Sequence, residues 1–265
     1  MMKNHVKGVL QGLFGYERYL RVFAWFKVRT LRWDDREQDF FHFLNRVPDG
    51  GVVLDIGANL GFLSVNLARR VGTRGRVLAF EPLPENNRVL RWLLQHFRVG
   101  NVEVYPWALG DRNGSASMIL PVQGNARQQG LGHVEGAGDG GDGGIRFEVP
   151  LRRLDDLPQV NSPWTRVAAI KLDVENFEQF VLRGAQRILE RDRPLIYLEL
   201  WDNANRDVCF GIAARLGYSV MVCVDDRLVP FEPGKHRHGN FFFVPPGHPS
   251  RLHRMTGLQA KPRSP

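Results

Sequence analysis

The chain has 265 residues, of which 43% are apolar and 24% are charged, as in soluble globular proteins with a substantial core. Its net charge of +8 comes from the two ends, since residues 1–33 carry seven Lys and Arg against one acid and residues 245–265 carry four and no acid. The slightly acidic middle excludes a nucleic-acid platform there. Cys209 and Cys223 lie in apolar runs and are expected to be buried thiols. A reducing, cytoplasmic location is therefore expected.

The segment 16–33 is rich in basic and aromatic residues and predicts an amphipathic helix with Leu20, Phe23, Ala24 and Leu31 on one face. Its charges are too frequent for a transmembrane helix, and no signal-peptide cleavage pattern follows it. Packing on the domain or against a second subunit is favoured, because such helices are far commoner than membrane anchors. The alternative is a helix that lies on an anionic membrane surface.

Residues 51–61 combine an apolar run, an acid and two glycines, followed at once by a helical pattern. Such a stretch predicts a buried parallel strand that turns sharply into a helix, with a ligand close to the glycine backbone. The third glycine of a dinucleotide fingerprint is missing, which argues against a nicotinamide-dependent oxidoreductase. An acid at the strand end would repel a diphosphate and suits the ammonium group of S-adenosylmethionine. The residues predicted to bind its methionine end are Asp55, Gly57, Ala58, Asn59 and Gly61.

The next strand, 76–80, ends in Glu81 and is stopped by Pro82. Glu81 lies about 20 residues beyond the glycine turn, the spacing at which a carboxylate meets ribose hydroxyls in nucleotide-binding βαβ units. Glu81, with Pro82 beside it, is therefore predicted to bind the ribose. A third strand, 101–105, leads to a loop in which Ala108 and Leu109 are predicted to cover the adenine ring.

The stretch 121–144 is rich in glycine, and two interpretations of it stay open. Long loops within a compact domain are often active-site lids, in which case His133 is a candidate base or substrate contact. The alternative is a mobile surface loop.

A further buried strand, 167–172, ends at Asp173, with Glu175 two residues beyond. Ligands bind at the carboxyl ends of the strands in open α/β sheets, so both carboxylates are expected in the same cleft as Asp55 and Glu81. Asp173 is the first candidate for a catalytic base and Glu175 the second. A divalent cation between Asp173 and Glu199 is an alternative, but the spacing fits no metal motif and none is favoured.

Alternating strands and helices divide the chain into an N-terminal helical extension (1–47), a domain (48–246) and a flexible basic tail (247–265). Four motifs within the domain together resemble the FkbM family: Val53–Gly61, Ala79–Pro82, Ala108–Asp111 and Ile170–Glu175. The resemblance implies the Rossmann-like fold of class I methyltransferases, α/β with helices flanking a sheet. That sheet would have seven strands, mostly parallel, with one terminal antiparallel strand.

The resemblance also implies methyl transfer from S-adenosylmethionine to a hydroxyl oxygen of a small molecule or sugar. It places Asp55, Gly57, Asn59, Gly61, Glu81 and Asp173 in the cleft. One departure is Asn176, which stands where many relatives have glycine, although Asn tolerates left-handed backbone angles. The competing hypothesis is a catalytically idle scaffold protein with this fold. A homo-oligomer is compatible with either hypothesis, and no nucleic acid is expected as a partner.

Overall fold

The computed structural model describes residues 11–12, 15–123, 126–128, 130–136, 144–162, 164–236 and 239–248. The helices are α1 (Tyr16–Thr30), α2 (Gln38–Leu44), α3 (Phe62–Val71), α4 (Pro84–His96), α5 (Pro158–Asn161), α6 (Glu178–Arg183), α7 (Gln186–Asp192) and α8 (Ala204–Arg215). The strands are β1 (Val52–Ile56), β2 (Arg76–Phe80), β3 (Val102–Tyr105), β4 (Ala108–Gly110), β5 (Gly114–Gln123), β6 (Ala126–Arg127), β7 (His133–Val134), β8 (Gly144–Arg153), β9 (Val167–Leu172), β10 (Leu195–Glu199), β11 (Ser219–Val224), β12 (Arg227–Pro230) and β13 (Asn240–Val244).

The main sheet has the order β3-β2-β1-β9-β10-β13-β11-β12 within the described residues. Strands β3, β2, β1, β9 and β10 are parallel, and β13 runs antiparallel to β10 and β11. The order reverses between β1 and β9, so the carboxyl ends of these strands open the crevice in which doubly wound sheets bind ligands. The predicted Rossmann-like fold is confirmed.

The main sheet has one strand more than predicted, because β12 folds back on β11. In the sequence, Asp225 and Asp226 indicate a turn but no returning strand. Both residues have positive φ, 47° and 63°, as the two central residues of a type I′ hairpin turn require. That turn usually contains Asn-Gly or Asp-Gly, so the Asp-Asp pair gave no hairpin signal.

A second sheet, which the sequence did not predict, follows β3. It has the order β4-β8-β5-β6, with β7 paired to β5. Strands β5 and β8 are its central antiparallel pair. Apolar residues of this pair, among them Met118 and Leu151, join the same buried cluster as Leu54 and Ile170 of the main sheet. The second sheet is therefore packed against the main one.

Helix α1 packs on the domain, as the favoured interpretation predicted. Leu20 and Ala24 are completely buried, and they share a cluster with Leu90 and Leu93 of α4. Because these positions are three or four residues apart, they form one stripe along each helix. Phe43 of α2 likewise packs in a second cluster with strand residues of the main sheet. The extension thus shares its core with the domain.

Three other predictions concern the cysteines, membrane-spanning helices and the C-terminal tail. Cys209 and Cys223 are free and buried, as expected. In the described part of the chain, no helix is both long enough and apolar enough to cross a bilayer. Most of the predicted basic tail, from residue 249 onward, lies outside the described residues, as do His238 and several glycines of the 121–144 stretch.

Candidate active site

The loop between β1 and α3, residues 57–61, is called the glycine loop here. Gly57, Asn59 and Gly61 have positive φ values of 75°, 50° and 84°. The amides of Gly57 and Ala58 both donate to the carbonyl of Phe80, at 3.1 and 3.0 Å, which fixes the loop to the end of β2. A Cβ atom at Gly57 would lie 1.8 Å from the backbone oxygen of Asp173. Only glycine therefore permits this approach of the loop to the end of β9.

Glu81 lies at the tip of β2 with 4% of its surface exposed. Its carboxylate accepts hydrogen bonds from the amide of Asn59 at 2.8 Å, from the amide of Leu83 at 2.9 Å and from the side chain of Asn86 at 3.4 Å. Burial raises the pKa of Glu81 to about 7, against the lowering effect of these donors. These hydrogen bonds therefore fix the position of the carboxyl group at the edge of the sheet.

A first cavity lies over the ends of β1, β2 and β9. The residues that line it include Gly57, Asn59, Glu81, Pro82, Ala108, Leu109, Asp173 and Glu175. Gly130, Gly132 and Val134 close one side of it. The described part of the 121–144 stretch is therefore a wall of this cavity, as the lid interpretation expected.

Asp55 and Lys171 form a buried network beneath the glycine loop. The Lys171 ammonium group donates to the carbonyl of Gly57 at 2.7 Å and lies 3.5 Å from the carboxylates of both Asp55 and Asp173. Ser64 donates a hydrogen bond of 2.6 Å to Asp55. Although burial disfavours the charged form, the two carboxylates outweigh it and raise the pKa of Lys171. Lys171 is therefore a permanent cation at this point of the sheet.

Asp55 is located differently from what the sequence suggested. Its side chain is completely buried and lines neither the first cavity nor the second cavity described below. Its carboxylate is paired with Lys171 and Ser64 beneath the glycine loop, where it supports the loop. We correct the expectation of a direct ligand contact to one of loop support.

A second cavity lies over the ends of β9 and β10. It shares Gly57, Asn59 and Asp173 with the first cavity, so the two meet at these residues. Its other polar lining residues are Arg36, Glu37, Lys171, Tyr197, Glu199 and Asn240. Asp173 therefore stands at the junction, with 36% of its side chain exposed.

The carboxyl groups at this junction have altered acidities. Burial, with the Asp173 charge as the next cause, raises the pKa of Glu175 to about 9. The same two causes raise the pKa of Glu199 to about 7, although Glu199 is partly open to solvent at the end of β10. Burial also raises the pKa of Glu37. Groups with such shifts in a cleft are candidates for catalysis. Glu199 can exchange a proton near neutral pH, whereas Glu175 keeps its proton there.

The turn after Asp173 survives without glycine. Glu175 and Asn176 have φ values of 54° and 72°, so Asn176 adopts the left-handed conformation that its residue type tolerates, as predicted. Asn203 donates a hydrogen bond of 2.8 Å to the Asn176 side chain. Glu178 holds the same turn by accepting from the amide of Val174 at 3.1 Å.

His133 does not face the cleft, contrary to the interpretation that made it a candidate base. It is 6% exposed, and its Nδ1 lies 3.0 Å from the carbonyl of Leu131. Neighbouring side chains of a strand point to opposite faces, so Val134 of β7 lines the first cavity while His133 does not. We therefore drop His133 as a catalytic candidate.

Sequence reasoning missed two groups of site residues. Lys171 lies in one of the four motifs, but no function was predicted for it. A lysine within an apolar parallel strand nevertheless indicates a buried ion pair. Arg36 and Glu37 reach the second cavity only because the extension packs across it, which no local pattern reveals. The sequence suggested Glu199 only as a metal ligand. Among the described residues, no group of three or more His, Cys, Asp or Glu side chains could hold a metal ion.

The strand order, the glycine loop and the carboxylate at the tip of β2 together define a Rossmann-like protein of the methyltransferase type. A family model, the methyltransferase FkbM domain, matches residues 55–219, and the chain belongs to that family. The resemblance predicted from the four motifs is thereby confirmed.

Two curated relatives and one solved structure show how far the similarity extends. The chain is 27% identical over 240 residues to the AMB antimetabolite synthetase AmbE of Pseudomonas aeruginosa, covering 78% of this chain and 11% of that protein. It is 26% identical over 171 residues to the methyltransferase sdnD of Sordaria araneosa, covering 55% of this chain and 64% of that one. The chain thus spans less than two thirds of either relative. The FkbM methyltransferase of Methylobacillus flagellatus has a TM-score of 0.49 at 15% identity, over 74% of this chain and 44% of that chain.

Proposed function

We propose that the protein is an S-adenosylmethionine-dependent methyltransferase that methylates a hydroxyl oxygen of a small molecule or sugar. The observation that carries this proposal is the meeting of the two cavities at Gly57, Asn59 and Asp173. A methyl donor in one cavity and an acceptor in the other would then face each other across Asp173. Membership of the FkbM methyltransferase family supports the same assignment.

The residues of the first cavity suit S-adenosylmethionine. Glu81 has a carboxylate at the cavity edge for ribose hydroxyls, and Ala108 and Leu109 offer apolar cover for a flat base. The side-chain oxygen of Asn59 is buried and has no hydrogen-bond partner among the described residues. A buried acceptor without a partner is costly, so a donor such as the ligand's ammonium group would relieve it. The side chain of Asn59 would hold that end.

The bound donor would supply an electrophilic methyl group, and the chain's own residues would orient the acceptor and remove its proton. The glycine loop and the lining of the second cavity would hold the acceptor oxygen in line, which supplies much of the rate in such transfers. Asp173 stays the first candidate for removing the hydroxyl proton, because it stands at the junction. Glu199 joins it in place of His133, since its pKa of about 7 suits a base at neutral pH. Glu175, with a pKa of about 9, would instead be a hydrogen-bond donor.

The second cavity supports a polar acceptor. Carboxylates of Glu37 and Glu199 and the amide of Asn240 can accept from or donate to several hydroxyl groups at once. Arg36 also lines this cavity and adds a positively charged hydrogen-bond donor. A polyhydroxylated molecule would suit this mixture better than an apolar one, because its hydroxyl groups can both donate to the carboxylates and accept from the amide and the guanidinium group.

The proposal is tested first by calorimetric titration of the full chain with S-adenosylhomocysteine, with NAD as the control ligand. Micromolar binding of the first and none of the second is expected. An acceptor screen with radiolabelled S-adenosylmethionine then compares hydroxyl compounds with amine and thiol analogues. Binding followed by transfer only to amines or thiols would contradict hydroxyl methylation, and no binding at all would favour the scaffold hypothesis.

A further inference from the structure

A third concave surface lies where the extension meets α3 and the end of α4, and it shares no lining residue with the first or second cavity. We call it the arginine groove, because Arg29, Arg32 and Arg69 line it and, in the described part of the chain, no acidic residue does. Its apolar lining includes Val28, from α1, and Phe97, just after α4. The groove therefore combines positive charge with an apolar floor.

The charges of these three arginines are not matched by carboxylates. Among the described residues, none of the three takes part in a salt bridge, whereas Arg21 and Arg88 nearby both pair with Glu17. The guanidinium groups of Arg29 and Arg69 both lie close to the Phe97 ring, 5.2 and 5.4 Å from its centroid. Like charges held near one ring repel each other, and an anion in the groove would relieve that repulsion.

Apolar side chains stand exposed on the extension beside the groove. Val22, Phe26 and Trp33 are 68%, 55% and 65% exposed, respectively. Val22, Phe26 and Arg29 lie on the side of α1 opposite the buried Leu20–Ala24 stripe. Trp33 follows in a short 3-10 turn, where its ring centroid lies 4.2 Å from the guanidinium carbon of the groove residue Arg32. Large exposed apolar groups between cations form the surface that partitions into the headgroup region of an anionic membrane.

We propose that the arginine groove and the exposed residues Val22, Phe26 and Trp33 dock the protein on an anionic lipid bilayer. The arginines bind lipid phosphates and carboxylates, and the three apolar side chains enter the interface beside them. Because the extension and the domain share one core, binding of this face also holds the domain at the membrane. This inference stands independently of the proposed methyl transfer.

The test is partition of the full chain into vesicles of phosphatidylcholine with about 30 mol% phosphatidylserine, against vesicles of phosphatidylcholine alone. The variant Arg29→Gln/Arg32→Gln/Arg69→Gln removes the groove charges. Each basic residue at an anionic surface contributes roughly fivefold to binding, so the triple variant is expected to bind on the order of a hundredfold more weakly. Phe26→Ser/Trp33→Ser should also weaken binding, without reducing its dependence on salt.

The matched control removes three other exposed arginines that, among the described residues, also form no salt bridge, Arg166→Gln/Arg215→Gln/Arg227→Gln, and so changes the net charge equally. It should bind anionic vesicles within about threefold of the unchanged protein, because its charges lie away from the docking face. Equal losses in the two triple variants would overturn the proposal in favour of unspecific attraction to a basic protein. Equal binding to both kinds of vesicle, or to neither, would also overturn it. Unchanged thermal unfolding in every variant shows that the fold is intact.

Discussion

The buried ammonium group of Lys171 donates a 2.7 Å hydrogen bond to the carbonyl of Gly57, the first residue of the glycine loop. The same group lies between the carboxylates of Asp55 and Asp173, 3.5 Å from each. One cation thus links the loop at the end of β1 to the acid at the end of β9. The geometry of the junction between the two cavities depends on it.

Replacement of Lys171 by methionine should therefore destabilise the protein strongly. Met keeps most of the side-chain volume but leaves two carboxylates facing each other without a cation, and loss of one member of a buried ion pair costs about 3–5 kcal/mol. Urea unfolding measures the change. The double variant Lys171→Met/Asp55→Asn should recover part of the loss, because one of the uncompensated charges is gone. No recovery would mean that Asp55 and Lys171 do not interact.

Gly57→Ala should disrupt the glycine loop. The new Cβ would lie 1.8 Å from the backbone oxygen of Asp173, in a residue with φ of 75°, so both contact and backbone conformation oppose it. We expect a loss of at least about 3 kcal/mol in the free energy of unfolding, or loss of S-adenosylhomocysteine binding if the loop moves instead. Gly100→Ala is the matched control, since nothing lies within 4 Å of its Cβ position. Unchanged stability and binding in the Gly57→Ala variant would show that the loop lies elsewhere.

Glu81→Gln should weaken S-adenosylhomocysteine binding by about 10- to 100-fold, since hydrogen bonds to a charged group contribute roughly 1.5–3 kcal/mol. Asp173→Asn should reduce turnover more than it reduces ligand binding, because Asp173 is assigned to proton removal. Calorimetry and initial rates separate the two effects. Equal loss of binding in both variants would assign Asp173 to the cofactor.

The reaction rate should depend on the ionisation of Glu199. With its pKa raised to about 7, the carboxyl group is mostly protonated in mild acid and mostly ionised in mild base. If it acts as the base, kcat should rise from about pH 6 to about pH 8 and level off. Glu199→Gln should lower kcat and remove this rise. A rise that persists in the variant would assign the proton transfer to another group.

Stability should fall as pH rises, and Glu175 should extend this fall past neutrality. Its pKa is raised from 4.5 to about 9, so between these values the unfolded chain loses a proton that the folded chain keeps. The folded state then binds more protons, and stability falls by up to about 1.4 kcal/mol per pH unit for this one group. Glu81 and Glu178, with pKa values near 7, contribute to the fall only below that pH.

Urea unfolding at about pH 7.5 and pH 8.5 measures the Glu175 contribution. Glu175→Gln should be more stable than the unchanged protein at both values, with a smaller slope between them. Glu190→Gln, at an exposed position of α7, is the control and should leave the slope unchanged. Parallel curves for all three proteins would contradict the raised pKa of Glu175.

Local chemistry made some of the site predictable. The apolar run before Gly57 and the stop at Pro82 fix a strand and its end, and both lie where the sequence placed them. The same holds for the strand that ends before Asp173. Burial of an apolar run and the backbone freedom of glycine act over a few residues, so a short window contains the information.

The rest of the site depends on contacts between distant segments. The direction of His133 follows from the pairing of β7 with β5, a register that the glycine-rich sequence between them does not encode. Asp55 points inward because Lys171, more than a hundred residues later, provides its counter-charge. Glu37 faces the second cavity only after α1 and α2 have packed on the domain. Such relationships are set by tertiary packing. The secondary-structure propensity and the hydrophobic periodicity of a segment hold no information about that packing.

The residues that line the second cavity come partly from before and partly from after the stretch of sequence that the family model matches. Arg36 and Glu37 precede residue 55, and Asn240 follows residue 219, while the junction residues Gly57 and Asp173 lie within it. The segment that carries Arg36 and Glu37 can therefore diverge without altering the strands that form the first cavity. If the proposed function holds, grafting a different segment in place of residues 34–37 would change the acceptor cavity and leave the donor cavity as it is.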